Sequence, residues 1–139
     1  NNGPFIVNFD NKEALRKFQQ LKLDSTYVNL LDPQNTTDSV FKIVIQSWTG
    51  FHQKINKFIE QENFHWDVPD STISIVNKIY FNKKGGVEVY AFKIMNPSVS
   101  MQKRQEYESV LLKFSKQIKI DLQRQDKFTQ CGKTKYMNY

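Results

Sequence analysis

A chain of 139 residues, with 39% hydrophobic and 14% aromatic residues, is large and apolar enough to bury one core, and its 24% charged residues suit a solvated surface. No apolar run approaches the ~20 residues that a membrane-spanning helix needs, which excludes that class for this stretch, and the single cysteine, Cys131, excludes an internal disulfide. The net charge of +6 is uneven, because residues 101–139 carry nine Lys/Arg against four Asp/Glu while residues 1–100 carry eleven against ten. Such a basic C-terminal third suits phosphates, acidic lipids or an acidic partner, or equally a plain solvated helix face.

The first ten residues, "NNGPFIVNFD", show neither the basic start nor the apolar stretch of a signal peptide. "PFIVNF" reads as a short strand, and Asp10 or Asn11 can then cap a helix reaching about Leu21, with Ala14, Leu15, Phe18 and Leu21 on one face. "LDPQNTTDS" (Leu31–Ser39) is the clearest loop, since Pro33 lacks an amide hydrogen and Asn35, Thr36, Thr37 and Asp38 favour turns. Residues 1–37 are therefore read as a strand and helix lead-in with a linker, and residues 38–139 as an α+β core within one domain.

Apolar residues at 41, 44, 48, 51, 55, 58 and 59 keep one face of a helix. Gly50 predicts either a break or a fresh start at Phe51, and "VFKIVIQSW" is compatible with helix or buried strand. Pro69 and Asp70 prepare a strand. Ile73, Ile75, Ile79 and Phe81 then share one strand face, with Asn77 the exception, while Thr72, Ser74, Lys78 and Asn82 share the other. Lys83-Lys84-Gly85-Gly86 supplies a hairpin turn, its glycines tolerating positive φ. In the returning strand the apolar set runs Val87, Val89, Ala91 and then Phe92, Ile94, a change of parity that predicts a bulge near Ala91 or cover on both faces. After the turn "NPSVS", Tyr107, Val110, Leu111, Phe114, Ile118 and Leu122 form a helical stripe suited to packing across the hairpin. The tail holds a Gly132 turn and a last strand, Lys133–Tyr139, or is disordered.

Chemistry is sparse. His52 and His65 stand outside any zinc-binding spacing, and Cys131 has no nearby histidine to act as its base, so it reads as a small residue before a turn. The carboxylate pairs Glu60/Glu62 and Glu106/Glu108, two residues apart, are spaced for different helix faces, and Asp67/Asp70 make a third pair beside Pro69. With no P-loop, dinucleotide or nucleophile-elbow motif, the chain is expected to be no enzyme and to carry no cofactor and no metal. Lys78, Lys83, Lys84 and Lys93 flank Tyr80, Tyr90 and Phe92, which suits a nucleic-acid-binding sheet face or, equally, aromatics filling a core beneath a helix. Glu88 on the same strand and the poor fit of "GGVEVYAF" to the RNA-recognition consensus weigh against the first.

The order of elements carries the remaining signal. "GFHQKINKFIEQENFHW", "STISIVNKIYFNKKGGVEVYAFKI", "EYESVLLKFSKQI" and "CGKTKYMNY" make a helix–strand–turn–strand–helix–strand series. Over Gly50–Tyr139 this series resembles the C-terminal domain of the TonB energy-transducer family. Gly50 precedes the helix as in that family, Ile55, Phe58 and Ile59 match its apolar positions, and Asn82-Lys83-Lys84-Gly85 resembles its hairpin turn. The chain departs from the family where Trp66-Asp67-Val68-Pro69 replaces a Tyr-Pro and where Phe128–Gly132 replaces a Trp-x-Pro-Gly.

The resemblance implies a small antiparallel sheet with helices packed on one face. It implies a non-enzymatic binding module of the periplasm or cell envelope that pairs an extended peptide from a protein partner with a sheet edge. Lys133, Lys135, Tyr136 and Tyr139 are then the expected docking edge, with Lys83 and Lys84 as electrostatic contacts near a sheet end. The alternatives are a nucleic-acid-binding domain using the Lys/aromatic face and a structural lipoprotein domain without a ligand.

Overall fold

In the computed structural model, which describes residues 3–138, local sequence signals set most element ends. β1 (Phe5–Asn8) leads to α1 (Lys12–Gln20), which Asn11 caps by accepting from the Ala14 amide at 3.1 Å. A 3-10 turn at Leu23–Ser25 precedes the two-residue β2 (Val28–Asn29), and a second 3-10 turn at Pro33–Asn35 precedes α2 (Asp38–Gln61). β3 (Thr72–Phe81), β4 (Val87–Ile94), α3 (Met101–Gln117) and β5 (Phe128–Met137) complete the chain.

Gly50 neither breaks nor starts a helix, for α2 is continuous over its 24 residues with Thr37 as its N-cap. A helical glycine costs only about 1 kcal/mol relative to alanine. Burial of Val44, Phe51, Ile55, Phe58 and Ile59 along the same helix outweighs that cost. The helix ends where Asn63 takes a left-handed conformation at φ 55°, earlier than Pro69. α3 is likewise shorter than its stripe suggests: Ile118 is its C-cap and Leu122 lies in the following loop.

The architecture is α+β, a five-stranded sheet in the order β1-β4-β3-β5-β2. It is mixed where an antiparallel sheet was expected. β3 is antiparallel to both β4 and β5, but β1 runs parallel to β4 and β2 parallel to β5. The expectation of helices on one face is also corrected. Ile73, Ile75, Ile79 and Phe81 pack with Phe51, Ile55, Leu111 and Phe114 of α2 and α3. On the opposite face Val7, Tyr80, Val89 and Ala91 pack with Phe18 of α1.

Cover on both faces explains the parity change in β4. Tyr90, Phe92 and Ile94 face the larger core, and Val89 and Ala91 the smaller one. A bulge lies at Glu88, where Tyr80 pairs with Val89 but Phe81 with Val87, and not at Ala91. In the hairpin turn the Asn82 side chain accepts from the amides of Lys84 and Gly86 at 3.0 and 2.9 Å, and Gly85 sits at φ +92°.

Candidate functional site

β5 is a full strand, which corrects both the disordered-tail alternative and the placing of Cys131 before a turn. Cys131 lies within β5, exposed, and Gly132 sits opposite Asn77 with Trp48 against its Cα. On its inner side β5 pairs with β3 from Phe128↔Phe81 to Met137↔Thr72. On its outer side β2 covers only Phe128 and Thr129.

Backbone polarity alternates along a strand, so the direction of each group follows from a few bonds. The Val28 and Leu30 amides donate to the carbonyls of Lys127 and Thr129, which places the odd-numbered groups on the outer side. The Asn138 amide donates to Ser71 on the inner side, which places the even-numbered groups toward β3. Cys131, Lys133, Lys135 and Met137 thus turn their N–H and C=O groups outward, where no strand among the described residues pairs with them. Their side chains lie on the face that carries α1, in its solvent-exposed part beyond the smaller core, and all four are exposed.

Beside this edge runs α2. Trp48, Thr49, His52, Gln53 and Asn56 line a groove of about 400 Å³ whose other wall is Lys133–Met137. The first, third and fifth of these recur at helical spacing, so they form a shelf along the strand. Its floor is polar and buried. His52 Nδ1 meets the Tyr136 hydroxyl at 2.6 Å, Asn77 Nδ2 donates to Thr134 Oγ1 at 2.9 Å, and the Tyr90 hydroxyl donates to Asn77 Oδ1 at 3.3 Å. Asn77, the exception on its strand face, is thereby satisfied in the core. Burial pushes the His52 imidazole down to about 3 and raises the Tyr136 phenol, so both are neutral near pH 7.

The expected docking residues separate. Lys133 and Lys135 lie on the outer edge, as just described. Tyr136 does not: it is 4% exposed, its backbone faces β3 and its side chain enters the core. Tyr139 lies outside the described residues. Lys83 and Lys84 are at the other end of the sheet, where they line a separate groove with Arg124 and Asp126. The eight-residue step from Phe128 to Tyr136 puts roughly 27 Å between the two ends.

The three aromatics expected to face nucleic acid are all interior, with Tyr80, Tyr90 and Phe92 at most 1% exposed. Tyr80 donates to Asp24, Lys78 is paired with Asp24 at 2.7 Å, and Glu88 with Lys127 at 3.3 Å. These three rings are therefore not exposed for bases to stack on. Among the described residues no three His, Cys, Asp or Glu side chains gather in a metal-binding group.

Reading the sequence missed His52 and Asn56 as members of a shelf. Their i, i+4 spacing beside Trp48 was the available signal, but nothing in one helix names the strand that lies next to it. Comparison with family models, with curated proteins and with solved structures finds no match.

Proposed function

We propose that this chain is a non-enzymatic binding module of the cell envelope that captures an extended peptide by strand addition to the outer edge of β5, in the manner of TonB C-terminal domains. The observation that carries the reading is the run of outward backbone groups from Cys131 to Met137, unpaired among the described residues and backed by the α2 groove. Main-chain hydrogen bonds at such an edge supply affinity, and alternate side chains reaching a groove supply selectivity. The chain order α2-β3-β4-α3-β5 is the helix–strand–turn–strand–helix–strand series on which the resemblance rests.

The test is selection of random heptapeptides against the protein, followed by amide hydrogen exchange with the enriched peptides bound. Slowed exchange at Lys133, Lys135 and Met137, together with loss of binding in Lys135→Pro, is expected. Enriched peptides that bind Lys135→Pro as tightly as the parent, or no enrichment at all, would overturn the reading.

A further inference from the structure

We infer that the peptide accepted at this edge is a short acidic one, with carboxylates at alternate positions and apolar residues between them. The inference rests on the strand-addition reading and adds the length and chemistry of the occupant.

Length follows from β2. Its Leu30 amide makes the last bond to β5, at the Thr129 carbonyl, and the Leu30 side chain then turns into the core at 3% exposure. A visiting strand is stopped there, and the stretch left to it is Cys131–Met137, about 20 Å at strand rise.

Charge follows from the solvent-exposed part of the face that carries α1. Lys133 and Lys135 are two residues apart on it, and Val76 lies between Lys133 on one side and Lys93 on the other. Lys93, Lys133 and Lys135 are exposed, and none makes an ion pair among the described residues, whereas Lys54, Lys78, Lys103, Lys113 and Lys127 each do. A residue placed directly opposite Lys133 or Lys135 on an added strand brings its Cβ within about 5.5 Å on this same face. Carboxylates at those two positions complement the lysines. The intervening side chains point the other way, toward Trp48 and His52 in the groove, where apolar groups are suited.

The same lysines argue against a second copy of the chain as occupant. An antiparallel pairing of two β5 edges centred on Thr134 sets Lys133 of each copy against Lys135 of the other. Like charges directly opposite are unfavourable, and lysines on an edge commonly serve to prevent self-pairing.

The experiment uses fluorescein-labelled heptapeptides alternating valine with glutamate, with threonine or with lysine, and reads binding by fluorescence anisotropy at low and high salt. The glutamate peptide is expected to bind about 3- to 10-fold more tightly than the threonine peptide, with the gap narrowing as salt rises. The lysine peptide is expected to bind most weakly. The double variant Lys133→Glu with Lys135→Glu changes only exposed side chains and is expected to reverse the order. Equal binding of all three peptides overturns the acidic preference while leaving strand addition standing. Binding of none overturns both. Sedimentation showing a dimer that Lys135→Pro dissolves makes a second copy the occupant and overturns the inference.

Discussion

The imidazole of His52 on α2 and the hydroxyl of Tyr136 on β5 meet at 2.6 Å across 84 residues of sequence, and they join the groove floor to its helix wall. Trp48 packs edge-on against the imidazole at 4.2 Å and Phe51 at 5.9 Å, which leaves little room for a hydrated cation. The folded protein resists protonation here until about pH 3, while the unfolded chain takes up the proton near 6.5. The unfolded state thus binds more protons between those values, and stability falls as pH falls through them. Urea unfolding is expected to show a loss of about 2 kcal/mol from about pH 7 to about pH 5, a loss that His52→Gln removes. An unchanged slope in the variant would assign the acid sensitivity elsewhere. Asp24 and Asp70, whose carboxyls are held below their usual range, contribute only at lower pH. For Asp24 burial works upward, but hydrogen bonds from Lys78 and Tyr80 outweigh it.

Two glycines are expected to respond in opposite directions to alanine. At Gly85 a Cβ would lie 2.5 Å from the Ile120 carbonyl oxygen and 2.8 Å from that of Leu122, on a backbone at φ +92°. Gly85→Ala should cost at least about 2 kcal/mol in denaturant unfolding. At Gly50, inside α2, a Cβ meets nothing within 4 Å, and Gly50→Ala should stabilise by about 0.5–1 kcal/mol.

Arg104 ties the start of α3 to three other segments. Its Nη1 donates to Asp10 at 2.6 Å and to the Ile94 carbonyl at 3.1 Å, Nη2 to the Asn96 carbonyl at 2.8 Å and Nε to the Val99 carbonyl at 3.0 Å. Asp10→Ala leaves a largely buried guanidinium without its counter-charge and is expected to cost roughly 2–4 kcal/mol by urea unfolding. Asp10→Asn, which keeps an acceptor, should cost less. Equal losses for the two would show that charge is not what matters at this contact.

Proline reads the direction of each β5 amide. Lys135→Pro deletes an outward N–H with no partner among the described residues and is expected to change stability by less than about 1 kcal/mol. Thr134→Pro deletes an inward N–H in the register with Ile75 and should cost about 3 kcal/mol or more. Similar thermal midpoints for both variants would contradict the strand polarity described above.

Much of the fold is legible in residue spacing. Ala14, Leu15 and Phe18 of α1, the β3–β4 hairpin with its Asn82–Gly86 turn, and Tyr107, Leu111 and Phe114 of α3 follow local spacing, so periodicity reports them, whereas Leu21 is exposed past the end of α1 and Leu122 lies beyond α3. The parity change in β4 also carried its meaning, cover on both faces, although α1 as the covering element could not be read from β4 itself. Gly50 misled because local propensity is worth about 1 kcal/mol and tertiary burial of Phe51 and Ile55 exceeds it. Tyr136 misled because "KTKYMNY" does not say which of its alternating faces meets a helix.

The chain's own order of residues determined the hairpin and the helix that follows it, and left the lysine-alternating tail open between a last strand and disorder. Only the tertiary structure decided that β1 and β2 pair in parallel at opposite ends of the sheet, that β2 stops after Asn29, and that β5 is left open beside Trp48 and His52. The reason is physical: side-chain alternation is a property of neighbours along the chain. The hydrogen-bond partners of a strand come from segments tens of residues away, and their placement depends on how all the layers pack at once.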